Sequence, residues 1–162
     1  MSDKRRINWV NTLFLIAMPI IGIVGTVLFC VFSLVSWPTW ILAAVMLTAG
    51  GLSITAGYHR LFSHRTYKAA WPIRLFFVLF GSATFEGSVL EWSTDHRNHH
   101  RYTDTDKDPY SVKKGFFHAH MGWLFTINND DRDYSNVEDL KKDRLLRFQY
   151  RYYRAFAIGM GF

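Results

Sequence analysis

The first third of the chain is almost entirely apolar. No Lys, Arg, Asp, Glu or His lies between Val10 and Tyr58, a stretch of 49 residues. As a helix this stretch would be about 73 Å long, whereas the hydrocarbon core of a bilayer is about 30 Å thick. The stretch is therefore long enough to cross a membrane twice, and it has no charged face that a soluble helix would turn to water.

A break in the apolar stretch falls at residues 36–39, Ser-Trp-Pro-Thr. Pro38 disfavours helix at the residue before it, and tryptophans are enriched where a membrane span meets the headgroups. We predict a first span at about Trp9 to Val35 and a second at about Trp40 to Tyr58. A cleaved signal peptide does not fit, because the first apolar run is too long and a second run follows at once.

Basic residues flank this pair of spans on both sides, while the connecting turn is uncharged. They are Lys4, Arg5 and Arg6 before the first span, and Arg60, Arg65 and Lys68 after the second. The positive-inside rule then places both ends in the cytoplasm. These flanking basic residues also account for part of the net charge of +6. The excess of basic residues is therefore no evidence for a nucleic-acid partner.

The remaining residues alternate between apolar and charged segments. Residues 71–90 are apolar but interrupted by Arg74 and Glu86, which favours a helix lying in the cytoplasmic interface over a third span. Residues 91–154 carry most of the charge and are predicted to form a cytosolic helical cap, and residues 155–162 would begin a third span. The predicted fold is therefore an all-α integral membrane protein.

One longer helix is predicted within the cap, from about Val137 to Tyr153. Ser135 or Asn136 would be its N-cap, and acidic residues occupy its first turn. Composition agrees with an ordered chain, since 49% of the residues are hydrophobic and 17% aromatic. The single cysteine, Cys30, excludes a disulfide framework and any CxxC motif.

Candidate chemistry begins where the second span ends. Five of the seven histidines fall in two clusters, HRLFSH and HRNHH; they are His59, His64, His96, His99 and His100. On a helix of about 100° per residue, all three histidines of the second cluster face one way, although His99 and His100 diverge by about 100° and would suit two neighbouring ions.

His59 and His64 diverge by about 140° on a regular helix, so they converge only if the helix ends or unwinds between them. Imidazole is the commonest ligand for zinc, copper, iron and nickel, and we therefore predict a metal site. His118 and His120 are two residues apart and suit packing or hydrogen bonding around a site better than ligation.

Two motifs resemble the first two histidine boxes of the membrane fatty-acid desaturases, in particular the stearoyl, acyl-CoA type that acts at the ninth carbon. They are GYHRLFSHRTYKA at residues 57–69 and EWSTDHRNHHRYTDTDKDPY at residues 91–110. The resemblance continues through GFFHAHMGW at residues 115–123 and DLKKDRLLRFQYRYY at residues 139–153, and covers about residues 40–160.

This resemblance implies an enzyme with four spans and two non-haem irons held by histidines. It would use dioxygen and electrons from a ferredoxin or a b-type cytochrome to remove two hydrogens from an unactivated methylene pair. Such a reaction lies beyond side-chain acid–base chemistry and needs a metal.

The resemblance also implies roles for single residues. One iron would be bound by His59, His64, His96 and His100, and the other by His99. Asp95 and Trp92 match residues near the substrate, Trp92 forming with Glu91 the family's EW pair. Leu47 and Gly51 match positions that help to bound the acyl tunnel.

Two departures from the family pattern stand out. Thr94 and, approximately, Ile127 and Asn128 replace basic residues that face the phosphates of CoA, so the acyl chain could be carried on CoA, a lipid or a carrier protein. Lys113 and Lys114 could substitute, but a solvated basic pair is the simpler interpretation.

The second departure is that a third histidine box and further ligands do not occur in these residues, and we expect the chain to be a fragment that is inactive alone. A histidine-box alkyl or sterol hydroxylase is the main alternative function. A zinc-dependent membrane hydrolase is disfavoured because its HExxH motif does not occur in this sequence. A haem-binding subunit would have histidines inside its spans, and a purely structural protein would leave the clustered histidines unexplained.

Overall fold

The structure, a computed structural model, describes residues 6–32, 35–127 and 132–161. Its helices are α1 Trp9–Val31, α2 Trp37–Leu52, α3 Trp71–Ser82, α4 Val89–Tyr102, α5 Phe116–His120, α6 Glu138–Lys141, α7 Arg144–Arg151 and α8 Tyr153–Gly161. A π-helical segment, Ser53–Ser63, continues α2, and short 3-10 helices occupy Val112–Lys114, Gly122–Phe125 and Tyr134–Val137. The chain divides into two compact units, Met1–Ile41 with Tyr102–Arg132 and Leu42–Arg101 with Asp133–Phe162.

Two helices are long and apolar enough to cross a membrane. α1 has 23 residues, contains no charged side chain and has no buried residue. α2 and the π-helical segment together form a helix of 27 residues, Trp37–Ser63, most of which is apolar. A helix that is apolar on all sides yet exposed within its own protein is suited to lipid, because its backbone groups are satisfied internally.

The ends of these helices differ from the predicted span ends. α1 ends at Val31, and residues 33–34 lie outside the described residues. α2 begins at Trp37 because Pro38 occupies the first helical turn, where its missing N–H is not needed. The second helix continues beyond Tyr58 to Ser63 in π-helical form.

In the first unit, the start of α1 is tied to the segment that follows α5. Strand β1, Arg6–Ile7, pairs antiparallel with strand β2, Thr126–Ile127, in the register Arg6↔Ile127. Asn8 extends this contact, since its backbone N–H donates to the Phe125 carbonyl at 2.8 Å. The Asn8 side chain also caps α1 by accepting from the backbone N–H of Asn11 at 3.1 Å. The predicted fold was all-α, and this two-stranded ladder is the β-structure found among the described residues.

The second unit is built around a buried glutamine. Gln149 of α7 is fully buried. Its Nε2 donates to Tyr58 Oη at 2.7 Å and to Ser82 Oγ at 2.9 Å, and its Oε1 accepts from the Val89 N–H at 2.9 Å. One side chain thereby joins α7 to the π-helical segment, α3 and the start of α4. Apolar side chains such as Val78 and Leu146, both fully buried, surround it.

Two glycines allow α3 to approach the π-helical segment closely. A Cβ at Gly57 would lie 2.6 Å from Cγ of Phe77, and a Cβ at Gly81 would overlap the ring of Tyr58. A side chain at either position would therefore push the two helices apart.

α3 covers only the first part of the apolar stretch 71–90. A turn follows in which Phe85 and Gly87 have positive φ angles of 60° and 96°. Ser88 and Glu91 then begin α4 with a reciprocal cap. The Ser88 Oγ accepts from the Glu91 N–H at 3.3 Å, and the Glu91 carboxylate accepts from the Ser88 N–H at 2.9 Å.

The prediction of one continuous helix from Val137 to Tyr153 is wrong. Asp133, rather than Ser135 or Asn136, caps the first turn by accepting from the Ser135 N–H at 2.8 Å. Asp143 separates α6 from α7, because its extended backbone ends one helix and its side chain caps the next by accepting from the Leu145 N–H at 2.9 Å. Local capping thus overrides the helical periodicity of the segment.

Candidate metal centre

The π-helical segment brings His59 and His64 onto one side of the helix. π-Helical hydrogen bonds join residue i to residue i+5, so residues five apart lie nearly above one another. The His64 N–H donates to the His59 carbonyl at 3.0 Å, and Ser63 Oγ donates to the Tyr58 carbonyl at 2.7 Å. The Nε2 atoms of His59 and His64 are consequently 3.1 Å apart. The spacing of the two histidines predicted that the helix ends or unwinds between them. In the structure the helix instead changes from α-helical to π-helical form.

α4 contributes the other two histidines of the cluster. His96 and His100 are one turn apart, and their Nε2 atoms are separated by 3.2 Å. His96 Nε2 lies 2.9 Å from His64 Nε2, which joins the two sequence motifs. The ligand nitrogens of these four histidines all lie within 4.8 Å of one another. We call His59, His64, His96 and His100 the four-histidine cluster.

Hydrogen bonds between the imidazole rings do not account for the close approach of their Nε2 atoms. A neutral imidazole nitrogen offers either one N–H or one lone pair, yet the Nε2 atoms of His64 and His96 each face two other nitrogens. Metal–imidazole bonds of about 2.1 Å, as in zinc sites, place neighbouring ligands at right angles about 3.0 Å apart. The donor set therefore fits one first-row transition metal, and imidazole suits iron as well as zinc, copper or nickel.

The protonation of the cluster also fits a metal site. Burial lowers the pKa of His96 to about 3, and the neighbouring His59 and His100 add to this effect because like charges oppose protonation. Burial and the neighbouring His59 likewise lower the pKa of His64. Both rings are therefore neutral near pH 7, which is the form that binds metals.

His99 lies beside the four-histidine cluster but is not part of it. Its ring centroid is 5.5 Å from that of His100 and 6.4 Å from that of His96. The group of four converging ligand nitrogens includes His100 but not His99.

Trp92 packs directly against the cluster. Its ring stacks on His96 with centroids 4.8 Å apart and meets the His59 ring edge-on at 6.1 Å. The indole N–H donates to Glu86 Oε2 at 3.1 Å. Trp92 is therefore in contact with two imidazoles of the cluster. Asp95, which precedes His96 on α4, is half-buried.

Leu47 and Gly51 are not brought to the cluster. They lie on α2, twelve and eight residues before His59. Leu47 is 80% exposed, and no atom lies within 4 Å of a Cβ placed at Gly51. Their role in bounding an acyl chain stays a prediction.

The positions that depart from the family pattern have different surroundings. Thr94 is fully buried, and its carbonyl accepts from Asn136 Nδ2 at 2.9 Å. Ile127 belongs to β2, and Asn128 lies outside the described residues. Lys113 is exposed, whereas Lys114 Nζ donates to the Asp108 carbonyl at 3.3 Å.

His118 and His120 both contact backbone carbonyls. His118 Nε2 lies 3.2 Å from the Pro109 carbonyl, and His120 Nδ1 lies 2.9 Å from the Phe116 carbonyl. Neither belongs to the four-histidine cluster.

Two residues near the cluster were not singled out by the sequence. Glu86 interrupts an apolar stretch in the sequence, but its contact with Trp92 depends on the turn between α3 and α4. Arg97 sits inside the HRNHH motif and bonds to groups far away in the chain. The sequence signal that could have identified Arg97 is its position between His96 and His99 in this motif.

Comparison with known proteins agrees with these motifs. Residues 35–162 match the sequence profile of the family described as fatty acid desaturase. A probable acyl-CoA desaturase of Schizosaccharomyces pombe is 46% identical over 160 residues, which cover 98% of this chain and 32% of the relative. Acyl-CoA desaturase 1 of Saccharomyces cerevisiae is 41% identical over 154 residues, covering 92% of this chain and 29% of the relative.

A mammalian relative is similar over the region of the histidines. Stearoyl-CoA desaturase 4 of Mus musculus is 42% identical over 120 residues, which cover 72% of this chain and 34% of the relative. The chain thus spans about a third of the length of these three relatives. With the profile matching most of its length and both histidine motifs in place, the chain belongs to the fatty acid desaturase family.

Proposed function

We propose that this chain carries the first metal site of a fatty acyl desaturase. His59, His64, His96 and His100 would hold one iron, and His99 would contribute to a second. The observation that carries the proposal is the convergence of four imidazole nitrogens within 4.8 Å at the end of an apolar helix. Family membership supplies the reaction class.

The proposed metal centre would supply one kind of chemistry. When bound, the two irons would couple the reduction of dioxygen to two waters with removal of two hydrogens from a methylene pair, two further electrons coming from a ferredoxin or a b-type cytochrome and two protons from water. The chain's own side chains have supporting roles. The imidazoles would bind the metal in their neutral form. Trp92 would fix the orientation of His96 and His59 by ring contact.

The substrate that suits this position has an apolar tail and a polar head. The cluster lies at the end of Trp37–Ser63, a helix apolar enough to cross a membrane. The relatives are named acyl-CoA or stearoyl-CoA desaturases, which favours a fatty acyl-CoA over an acyl-lipid. The buried Thr94 would leave recognition of the head group to other residues.

The chain is a membrane protein, and we infer a specific topology for it. Both spans would cross the membrane as a pair, with the N-terminus and both histidine motifs in the cytoplasm. The basic residues that flank the apolar stretch support this orientation.

A chimaera tests the proposal. This chain replaces the matching third of the Schizosaccharomyces pombe relative, and the chimaera is expressed in a yeast strain that lacks its own fatty-acid desaturase. We expect cell-derived lipids to regain monounsaturated acyl chains, measured by gas chromatography with mass spectrometry. The same chimaera with His64→Ala should produce none, while His118→Ala should match the unmodified chimaera.

Each outcome has a defined meaning. Alcohols in place of alkenes would identify a hydroxylase of the same histidine-box superfamily. Alkene formation that persists in His64→Ala would contradict the proposed metal site. An inactive chimaera that is present in membranes at the normal level would contradict the proposed function.

A further inference from the structure

The guanidinium of Arg97 uses all of its hydrogen-bond donors. Arg97 lies on α4 directly after His96, and its side chain is 16% exposed. Its Nε donates to the Ser63 carbonyl at 3.0 Å, and Nη2 donates to the Phe62 carbonyl at 2.9 Å. Nη1 donates to the Asn136 carbonyl at 2.6 Å. The two remaining N–H groups go to a carboxylate, so that all five donors of the side chain are satisfied.

Asp139 of α6 is the carboxylate that holds Arg97. Its Oδ1 accepts from Nη1 at 2.7 Å and its Oδ2 accepts from Nη2 at 3.0 Å. A bidentate pair of this kind fixes the plane of the guanidinium as well as its position.

Asn136 connects the same segment to α4 a second time. Its Nδ2 donates to the Thr94 carbonyl at 2.9 Å and to Asn98 Oδ1 at 3.0 Å. The segment 136–139 therefore contacts α4 on both sides of Arg97, which leaves the arginine little freedom to move.

The two carbonyls bound by Arg97 belong to the end of the π-helical segment. The last carbonyls of a helix lack partners within it and need donors from elsewhere. Phe62 and Ser63 immediately precede His64, and Arg97 immediately follows His96. The guanidinium thus connects the backbone beside one histidine to the backbone beside the other, and the Nε2 atoms of these histidines are 2.9 Å apart.

We propose that Arg97, fixed by Asp139, is a positioning residue that sets His64 against His96 before a metal binds. This inference rests on the proposed function, because it assumes that the four-histidine cluster is a metal site. Side chains that hold metal ligands in place without touching the metal typically change metal affinity by about 10–100-fold when mutated. Lys cannot replace Arg97, since an ammonium lacks the planar five-donor fork that these acceptors require.

The test compares two arginines of the same unit. Arg97→Lys removes the fork, and Arg74→Lys is the matched control because Arg74 forms an ion pair with Asp143 between α3 and α7. The full chain is purified in detergent and titrated with Co²⁺, whose absorption bands report ligand geometry. We expect Arg97→Lys to weaken Co²⁺ binding at least tenfold and to alter the bands, and Arg74→Lys to change neither. Asp139→Asn provides a second route, with a smaller loss in the same direction.

A metal-independent measurement separates this inference from the proposed function. Hydrogen exchange of peptides covering residues 58–66 should be faster in Arg97→Lys than in Arg74→Lys, at equal thermal stability. Unchanged exchange and unchanged Co²⁺ spectra in Arg97→Lys would overturn the inference, as would equal losses in both arginine variants. Absence of Co²⁺ binding in the unmodified chain, together with faster exchange in Arg97→Lys, would reject the metal site while leaving the positioning of His64 intact.

Discussion

The hydroxyls of Ser63 and Ser93 form a hydrogen bond of 2.9 Å between the π-helical segment and α4. Both residues are buried, at 5% and 0% exposure. Ser63 is adjacent to His64, and its hydroxyl also reaches the Tyr58 carbonyl at 2.7 Å. One small side chain thus supports the wide helical turn and its contact with the second histidine motif.

Replacing Ser63 by alanine should loosen that turn. Ser63→Ala leaves the buried Ser93 hydroxyl and the Tyr58 carbonyl without this partner, which we expect to lower the free energy of unfolding by about 1–3 kcal/mol. Thermal unfolding of the purified chain in detergent, followed by tryptophan fluorescence, measures the change. Thr55→Ala is the control, because its exposed hydroxyl donates only to the Gly51 carbonyl. Equal melting temperatures for the two variants would contradict the prediction.

Among the polar residues of the second unit, Gln149 is predicted to be the one whose substitution lowers the free energy of unfolding most. Gln149→Leu substitutes an apolar side chain of comparable size and removes three buried hydrogen bonds, to Tyr58, Ser82 and Val89. We expect a loss of about 2–4 kcal/mol in unfolding free energy, because buried partners are left unsatisfied. Arg147→Gln, an exposed change on the same helix, should stay within about 0.5 kcal/mol of the unmodified chain. A Gln149→Leu protein that melts like Arg147→Gln would show that the network is not stabilising.

Removing one imidazole from the cluster should weaken metal binding selectively. His64→Ala deletes the ring whose Nε2 faces both His59 and His96, so we expect Co²⁺ affinity to fall at least about tenfold. His118→Ala, whose ring contacts the Pro109 carbonyl, should bind Co²⁺ normally. Isothermal titration calorimetry in detergent gives both affinities, and a normal affinity for His64→Ala would exclude His64 as a ligand.

Acid should destabilise the metal-free chain through His96. The pKa of His96 is lowered to about 3 in the folded chain, mainly by burial, from an ordinary value of 6.5. Between these values the unfolded chain binds a proton at His96 that the folded chain does not, so stability falls as the pH drops from about 6.5 towards 3. Melting temperatures measured from pH 7.5 down to pH 5 should therefore decrease, and less steeply in His96→Gln. Identical slopes for both proteins would contradict the lowered pKa.

Several features of this protein followed from the sequence alone. The absence of charge between Val10 and Tyr58 identified two apolar helices, because exclusion of charge from lipid is a local property of the chain. The spacing of His96 and His100 placed both rings on one face of α4, since helical geometry is also local. The requirement that His59 and His64 converge through an irregular helix was likewise readable from a spacing of five.

The tertiary structure decided how these local features meet. That the helix widens at Ser53–Ser63 instead of ending depends on α3 packing against Gly57 and on Ser93 approaching Ser63. The division of the predicted helix 137–153 depends on Asp143, which binds Arg74 of α3 as well as capping α7. The five bonds of Arg97 join three segments separated by more than thirty residues. Periodicity and propensity act over a few residues, whereas these hydrogen bonds form only after distant segments have packed together.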